Sequence, residues 1–525
     1  MRKSLLLLTL LMLGALIFAG CGGQETSSDP DTSTTEQPEE KAESPEDRIL
    51  TIAMGTDILT FDIHDHNHTA TEAVHVNMFN YLFKRNAEGE IEPELVETYE
   101  LLDDTSWKMT LKQGVKFHNG DELTAEDVKF TLERVATDSS LRDHPNYAQI
   151  KEVEVLGDYE FIIHTHNPEP ALLNRISRLA SGILPKKYIE ENGWDHFLSN
   201  PVGTGPYKFV EWVRDDRIVL EPFEDYFEGK VDEWDQVVFR VIPENSTRVA
   251  ELLTGNVDIA VNIPPADWDR VNNNEGTSIK MGPTSRILLL VLRATEGYPT
   301  SDVRVRQAID YAIDQRAIVE HVLGGAGVPT RSRIVPGTFG FHPDYYDTYV
   351  YDPEKAKALL AEAGYPDGFE MTLHSPQGRY LQDREVAETI AGMLAKVGIT
   401  VNIEFMEWSS FVEMRQAHNN KDAYLLGLGN SMFDAALALD WYRSERFVGE
   451  TDYKNEEIDE LLALAEQNMD LEEREKQYQR IIEIAAEEVP HVLLYQQYNV
   501  DGVSDRIDYE PVIDEMIYVP NIKRK

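Results

Sequence analysis

Cysteine is almost absent from this 525-residue sequence, which contains a single one, Cys21. One thiol excludes an intrachain disulfide and any metal site built from several cysteine ligands. Basic residues are also scarce: 49 lysines and arginines stand against 94 aspartates and glutamates, for a formal net charge of −45. This balance argues against a nucleic-acid partner and against polybasic attachment to anionic lipid, because both need clustered cations.

Common catalytic motifs are missing as well. The sequence has no G-x-S-x-G, no H-E-x-x-H and no G-x-x-x-x-G-K-[ST]. Without them, neither a serine or zinc hydrolase of the familiar kinds nor a P-loop ATPase is indicated. These absences weaken the hydrolase and ATPase interpretations without excluding unfamiliar chemistry, and we expect a protein that is not an enzyme and needs no cofactor.

Long hydrophobic runs are limited to the N-terminus, where Leu5–Phe18 follows Arg2 and Lys3. A charged start and about 14 apolar residues are typical of a signal peptide rather than a membrane span. The run ends in Phe18-Ala19-Gly20-Cys21, which resembles the lipobox of bacterial lipoproteins. This resemblance implies a signal peptide over 1–20 and a lipidated Cys21; the alternative is an ordinary secretory signal with an incidental cysteine.

Residues 21–48 have the composition of a linker. Residues 22–48 contain nine acidic residues against two basic ones, with many Ser, Thr, Pro and Gly. Such a segment buries too little apolar surface to fold, so we predict a disordered acidic tether. No later apolar run reaches about 18 residues, and we expect the remaining body to be soluble.

From residue 49 onward, strand and helix patterns alternate, which predicts a sheet-based α/β body. Thr124-x-x-Asp127 predicts a capping box at the start of a helix, and Ser246 is a candidate cap for a helix ending at Leu253. Apolar spacing predicts one helix over Val303–Leu323. The other clear elements are strands at 49–53, 107–111, 160–165, 237–242 and 399–405, and helices at 353–363, 384–397 and 471–488.

Histidines cluster after the first predicted strand: His64, His66, His68 and His75, with Asp62 and Asp65 nearby. Imidazole and carboxylate ligands suit zinc, nickel or copper, and the i, i+2, i+4 spacing would align three imidazoles on a strand. Polar loops of this kind also occur without a metal. We predict no metal site here, but a loop at the mouth of a cleft where His66 or Asn67 contacts a ligand.

Several segments, in order, resemble the large solute-binding proteins of ABC importers for oligopeptides, dipeptides, nickel and glutathione. The resemblance extends from about residue 49 to the C-terminus. The matching segments are Pro93–Thr98, Trp107–Val128, Pro201–Tyr207, Asn245–Asp258, Arg304–Ala308 and Tyr351–Ala356.

The family resemblance implies a type II periplasmic-binding-protein-like clamp of the large cluster, with two α/β lobes joined by a hinge. Lobe I would comprise 49–80, 203–285 and 491–525, with an extra subdomain inserted at 81–202. Lobe II would comprise 286–490. The ligand would bind between the lobes, and hinge closure would exclude water.

The resemblance also implies two ligand-binding residues. Arg379 aligns with an arginine that pairs with the peptide carboxylate in dipeptide-binding relatives, and Asp434 lies where those relatives place an acid for the peptide ammonium. Each has a structural alternative: Arg379 as a charge at a helix start, Asp434 as a helix N-cap. Arg443 and Arg446 could add carboxylate contacts, or be solvated helix charges.

The resulting hypothesis is a lipid-anchored, extracytoplasmic receptor, monomeric, that captures short peptides or glutathione-like solutes. It would deliver them to an ABC permease whose separate ATPase subunits hydrolyse ATP. Two alternatives stay open: a nickel or metal-chelate receptor that uses the histidine cluster, and a surface peptidase.

Overall fold

The computed structural model describes residues 48–66, 68–86, 90–177 and 180–525. The predicted signal peptide, Cys21, residues 21–47 of the predicted tether and Asn67 lie outside these ranges. Among the described residues, strands and helices alternate along the chain.

The strands are β1 (Ile49–Met54), β2 (Phe83–Arg85), β3 (Ile91–Pro93), β4 (Val96–Asp103), β5 (Ser106–Leu111), β6 (Ile150–Gly157), β7 (Glu160–Thr165), β8 (Tyr207–Val213), β9 (Arg217–Pro222), β10 (Gln236–Val241), β11 (Ile259–Ala260), β12 (Thr277–Leu292), β13 (Gly327–Pro329), β14 (Phe369–Pro376), β15 (Ile399–Met406), β16 (Ala423–Leu428), β17 (His491–Ser504), β18 (Ile507–Asp508) and β19 (Lys523–Arg524). The helices are α1 (Thr69–His75), α2 (Ala125–Thr137), α3 (His144–Tyr147), α4 (Leu172–Arg175), α5 (Lys186–Asn192), α6 (Trp194–Ser199), α7 (Asn245–Leu253), α8 (Trp268–Asn272), α9 (Val303–Ala312), α10 (Gln315–His321), α11 (Pro353–Glu362), α12 (Asp383–Ala395), α13 (Trp408–Gln416), α14 (Ala435–Leu439), α15 (Glu456–Ala465) and α16 (Leu471–Glu488).

The main sheet has the strand order β15-β14-β16-β12-β17-β11-β1-β10-β9-β8, and β13 also pairs with β17. In one half, β1 lies parallel to β10 and β11, and its apolar residues belong to a core that includes Leu50, Ile52 and Trp234. In the other half, β14 lies parallel to β15 and β16, and α9–α12 contribute to a second core. Each half therefore buries its own apolar side chains, as expected of two lobes.

Two long strands, β12 and β17, connect the halves. They pair antiparallel in two stretches, Thr277–Pro283 with 498–504 and Ile287–Val291 with 491–496, and the register shifts between the stretches. At the shift, the Gln496 side chain donates to the Thr284 carbonyl over 2.6 Å, and the Thr284 hydroxyl donates to the Gln497 carbonyl over 2.7 Å. A pairing break at one level of two neighbouring strands is a point where the molecule can bend.

A separate four-stranded sheet, β4-β5-β7-β6, packs with α2 around a third core. The predicted capping box is present: the Thr124 amide and hydroxyl each donate to the Asp127 carboxylate over 2.9 Å. This sheet falls within the predicted inserted subdomain. The boundaries given for that subdomain and for the two lobes stay predictions.

Most predicted elements are confirmed, and two details are wrong. The pattern at 303–323 forms two helices, α9 and α10, because Asp314 caps a new helix by accepting a bond from the Ala317 amide (3.0 Å). Ser246 is not a cap, since α7 begins at Asn245 after Glu244. Apolar periodicity continues across the two-residue break between α9 and α10, so the sequence pattern cannot reveal that break.

Candidate ligand-binding cleft

A cavity of about 330 Å³ lies beside the hinge. Its walls come from both halves of the main sheet: the end of β1, the start of α1 and the segment 509–517 on one side, and the loop 377–382 with Trp408 on the other. β17 also contributes Gln497, Asn499 and Asp501. A bend between the lobes would therefore change the shape of this cavity.

The loop between β14 and α12 carries Arg379 into the cleft wall. Gly378 has a positive φ of 80°, and the Asp383 carboxylate accepts bonds from the amides of Gly378 (3.0 Å), Arg379 (2.8 Å) and Tyr380 (3.0 Å). Three amides converging on one carboxylate hold the loop in a single conformation. The sequence reveals this only as an acid at the start of a helix.

The guanidinium of Arg379 lies next to two aromatic side chains. Its central carbon lies 5.1 Å from the Tyr380 ring centre and 5.2 Å from that of Trp408, and its Nε is buried without a hydrogen-bond partner. Among the described residues, no carboxylate lies within 4.0 Å of its nitrogens. Burial, followed by the nearby Arg286 charge, lowers the pKa of Arg379. An unmatched cation of this kind is costly unless a ligand anion joins it.

A second buried arginine in the cleft, Arg286, is matched. It lies 3.0 Å from Glu515 and also donates to the Gly427 carbonyl over 3.2 Å. Burial acts to lower its pKa, but the Glu515 charge, Tyr380 and the hydrogen bond to Glu515 together more than offset this, and the pKa is raised. Of these two arginines, Arg379 is the one left to receive a ligand anion.

The histidine segment is not a strand but a loop that leads into α1. The four imidazoles therefore do not line one side of a strand, and only His66 and His75 meet. His66 Nε2 lies 3.2 Å from His75 Nδ1 and 3.9 Å from Glu72, and all three side chains are buried outside the cleft lining. Burial lowers the pKa of both histidines. The ligand contact predicted for His66 stays a prediction, and Asn67 is outside the described residues.

The other two histidines go elsewhere. His64 packs beside Asp62 and the guanidinium of Arg134, and its pKa is lowered to about 3 by burial and then by the Arg134 charge. His68 lines the cleft, where burial and the Arg379 charge lower its pKa to about 4. Of the histidines in this segment, His68 is the one placed to meet a solute in the cavity.

Asp434 lies apart from the residues that line the cavity. It is 1% exposed, and its two carboxylate oxygens accept bonds of 2.8 Å each from Arg474. One oxygen also accepts a bond from the Ala436 amide (2.9 Å) at the start of α14. These contacts favour the N-cap alternative, and the ligand role stays a prediction.

Arg443 and Arg446 are engaged within their own region. Arg443 contacts Asp440 and Glu466, and Arg446 contacts Asp440. Neither is among the cavity-lining residues.

Sequence reasoning missed Tyr380, Trp408, Arg286, Glu515 and Asp501. The one available signal is in β17, where polar residues alternate at Gln497, Asn499 and Asp501. Arg286 and Glu515 are 229 positions apart, so their pairing cannot be read from local spacing.

The molecule has two lobes with separate cores, joined by a two-stranded hinge. A polar cavity lined in part by aromatic side chains lies beside this hinge. These features define a solute-binding clamp. Residues 90–449 match the family described as bacterial extracellular solute-binding proteins, family 5 (middle), and the chain belongs to this family. Among the described residues, no helix is both long and apolar enough to cross a membrane.

Individual relatives agree with this assignment. The chain is 28% identical to oligopeptide-binding protein AppA of Bacillus subtilis (98% of this chain, 97% of AppA). It is 28% identical to glutathione-binding protein GsiB of Salmonella paratyphi A (87% of this chain, 91% of GsiB). The structure of Helicobacter pylori DppA in complex with the peptide STSA is similar, with a TM-score of 0.79 and 25% identity (91% of this chain, 99% of DppA).

Proposed function

We propose that this protein is the substrate-binding lipoprotein of an ABC importer and that it captures short peptides or glutathione-like solutes. The protein would act outside the cytoplasm, anchored to the cell membrane through a lipidated Cys21. A permease with separate ATPase subunits would receive the solute, and the binding protein itself, a monomer, would catalyse no reaction.

The observation that carries the proposal is the unmatched Arg379 guanidinium in the cleft wall. Peptides and glutathione both carry a free carboxylate, and a guanidinium fork matches a carboxylate geometrically. The faces of Tyr380 and Trp408 next to Arg379 suit the apolar parts of a peptide. The names of AppA, GsiB and DppA's complex support the same ligand class.

The test is calorimetric titration with dialanine, trialanine and glutathione, each compared with its C-terminal amide. We expect Arg379→Gln to weaken binding of the free carboxylates by at least about tenfold, because a charged hydrogen-bonded contact is lost. The amides should lose far less.

Arg384→Gln is the matched control. Arg384 lies five residues further along and pairs with Glu388 at the surface, so its removal should leave affinities unchanged. If no member of the panel binds, or if the wild-type protein binds acids and amides equally, the carboxylate role of Arg379 is refuted.

The metal-chelate alternative rests on one observation. Ligand atoms of His66, Glu72 and His75 lie within 4.8 Å of one another. However, His75 Nε2 is also 3.1 Å from the Thr60 carbonyl, so hydrogen bonds account for this cluster. Native mass spectrometry separates the two functions: one bound nickel ion per chain without an organic ligand would favour the metal receptor.

A peptidase would reveal itself in the same panel. Wild-type protein incubated with trialanine should return it intact by mass spectrometry. Cleavage products that persist after repeated purification would favour the enzyme.

A further inference from the structure

A row of polar side chains on β17 faces the cleft. Gln497, Asn499 and Asp501 alternate along the strand, so they share one face, and all three line the cavity. At about 3.3 Å per residue, Gln497 and Asp501 are roughly 13 Å apart along the strand. They would therefore contact different parts of an extended ligand.

Asp501 is a buried carboxylate on this face of β17. It is 3% exposed and accepts bonds from the Asn262 amide (3.2 Å) and the Tyr509 hydroxyl (3.0 Å). Among the described residues, no cationic nitrogen lies within 4.0 Å of it. Lys280, directly opposite on β12, bonds to Glu510 instead.

The arginine whose charge acts on Asp501, Arg248, also has its hydrogen bonds elsewhere. Arg248 donates to the carbonyls of Val261 (3.0 Å), Ile242 (2.7 Å) and Pro243 (2.9 Å). Burial raises the pKa of Asp501 to about 6, so the neighbouring charges do not compensate for its desolvation. A carboxylate can accept about four hydrogen bonds, which leaves Asp501 with unused capacity.

The other acids of the cleft are less suited to a ligand cation. Glu515 is paired with Arg286, and Glu407 is exposed to solvent. Asp434, the acid indicated by family resemblance, is neutralised by Arg474. Within the part of the chain that the structure describes, Asp501 is therefore the buried acid of the cavity without a cation within 4.0 Å.

A second unsatisfied acceptor lies on the same face of β17. The Gln497 side chain is 4% exposed, and its Oε1 has no hydrogen-bond partner. A buried polar atom without a partner costs free energy, so it marks a point where a ligand N–H would be stabilised.

We infer that Asp501 binds the ammonium group of the ligand and that Gln497 Oε1 accepts a bond from a ligand amide N–H. This inference rests on the proposed function and adds to it: the solute carries a free amine as well as a carboxylate. Arg379 and Asp501 would then recognise the two charges from opposite sides of the hinge.

The test pairs dialanine, trialanine and glutathione with their N-acetyl derivatives in calorimetric titrations. The wild-type protein should bind the free amines at least about tenfold more tightly than the acetylated forms. Asp501→Asn should abolish this discrimination by weakening the free amines alone. Asp501→Glu, which keeps the charge, should retain part of it.

Asp508→Asn is the matched control, because it makes the same substitution at an exposed site on β18, seven residues further along, and discrimination should persist. Equal binding of amines and acetylated forms by the wild-type protein would overturn the inference while leaving the proposed function intact. So would an Asp501→Asn variant that loses both forms equally. Absence of binding by all six compounds would refute both.

Discussion

Two buried acids have different surroundings in the fold. Asp434 and Asp501 are both almost fully buried, but Asp434 faces a bidentate arginine whereas Asp501 faces the cavity. A short acid before a helix is compatible with a cap or with a ligand site, and the local pattern does not separate the two. The residue that pairs with Asp434 does separate the two roles, but this residue, Arg474, is 40 positions away in the sequence.

At this scale we predict that Asp434→Ala is strongly destabilising. It would leave the Arg474 guanidinium buried without a partner and remove the α14 cap, which should cost about 3–5 kcal/mol in urea unfolding. Glu472→Ala, on the same helix as Arg474 but at the surface, should leave the unfolding midpoint unchanged.

The double variant Asp434→Ala/Arg474→Met should recover part of the lost stability, because no buried charge is left unpaired. A stable Asp434→Ala protein with greatly weakened peptide affinity would instead support the ligand role of Asp434.

At the scale of elements, the segment Pro201–Tyr207, one of those that resemble the family, passes close to the backbone of Met78. Gly203 and Gly205 lie at this contact. The Gly205 amide donates to the Met78 carbonyl over 2.8 Å, next to the end of α1. A Cβ at Gly205 would lie 2.4 Å from the Met78 carbonyl carbon, and one at Gly203 would lie 2.1 Å from the Met78 oxygen. This contact fixes the connection that follows the histidine loop and α1.

We therefore predict that Gly205→Ala lowers the free energy of unfolding by about 2 kcal/mol or more, since backbone atoms must move to admit the methyl group. Gly157→Ala is the control, because nothing lies within 4 Å of a Cβ there. Equal unfolding midpoints for both variants would show that the close approach is absent in solution.

At the scale of the whole molecule, the stability of the fold depends on pH through a buried acid, Glu94. Burial raises the pKa of Glu94 to about 7, although the Tyr81 amide and the Asn80 side chain donate to its carboxylate. The folded protein therefore holds a proton that the unfolded chain releases near pH 4.5. Stability from this group is present at low pH and is lost as pH rises toward about 7.

Glu94→Gln should accordingly flatten the pH dependence of unfolding. Between pH 5 and 8 the wild-type protein should lose up to roughly 3 kcal/mol relative to this variant, at about 1.4 kcal/mol for each unit of pKa shift. Glu97→Gln, on exposed β4, changes the charge equally and should parallel the wild-type curve in urea titrations. Parallel curves for all three proteins would contradict the shift.

Local chemistry was sufficient for much of the architecture. The Thr124 capping box, the Asp352-Pro353 helix start and the alternating strand at 399–405 depend on neighbours within a few residues, and all three are confirmed. The break between α9 and α10 was missed because apolar spacing persists across it. The histidine segment was ambiguous because the same i, i+2, i+4 spacing is compatible with a strand and with a turn. The two conformations direct the imidazoles differently.

By itself, the sequence determined the α/β class, most elements and the family. Only the tertiary structure decided that Arg379 meets no carboxylate among the described residues, that Asp434 is paired with Arg474 and that Asp501 lines the cavity. The physical reason is range: helix and strand patterns arise from contacts over a few residues. The charge state of a cleft is set by groups that meet only after the chain has folded, as Arg286 and Glu515 do.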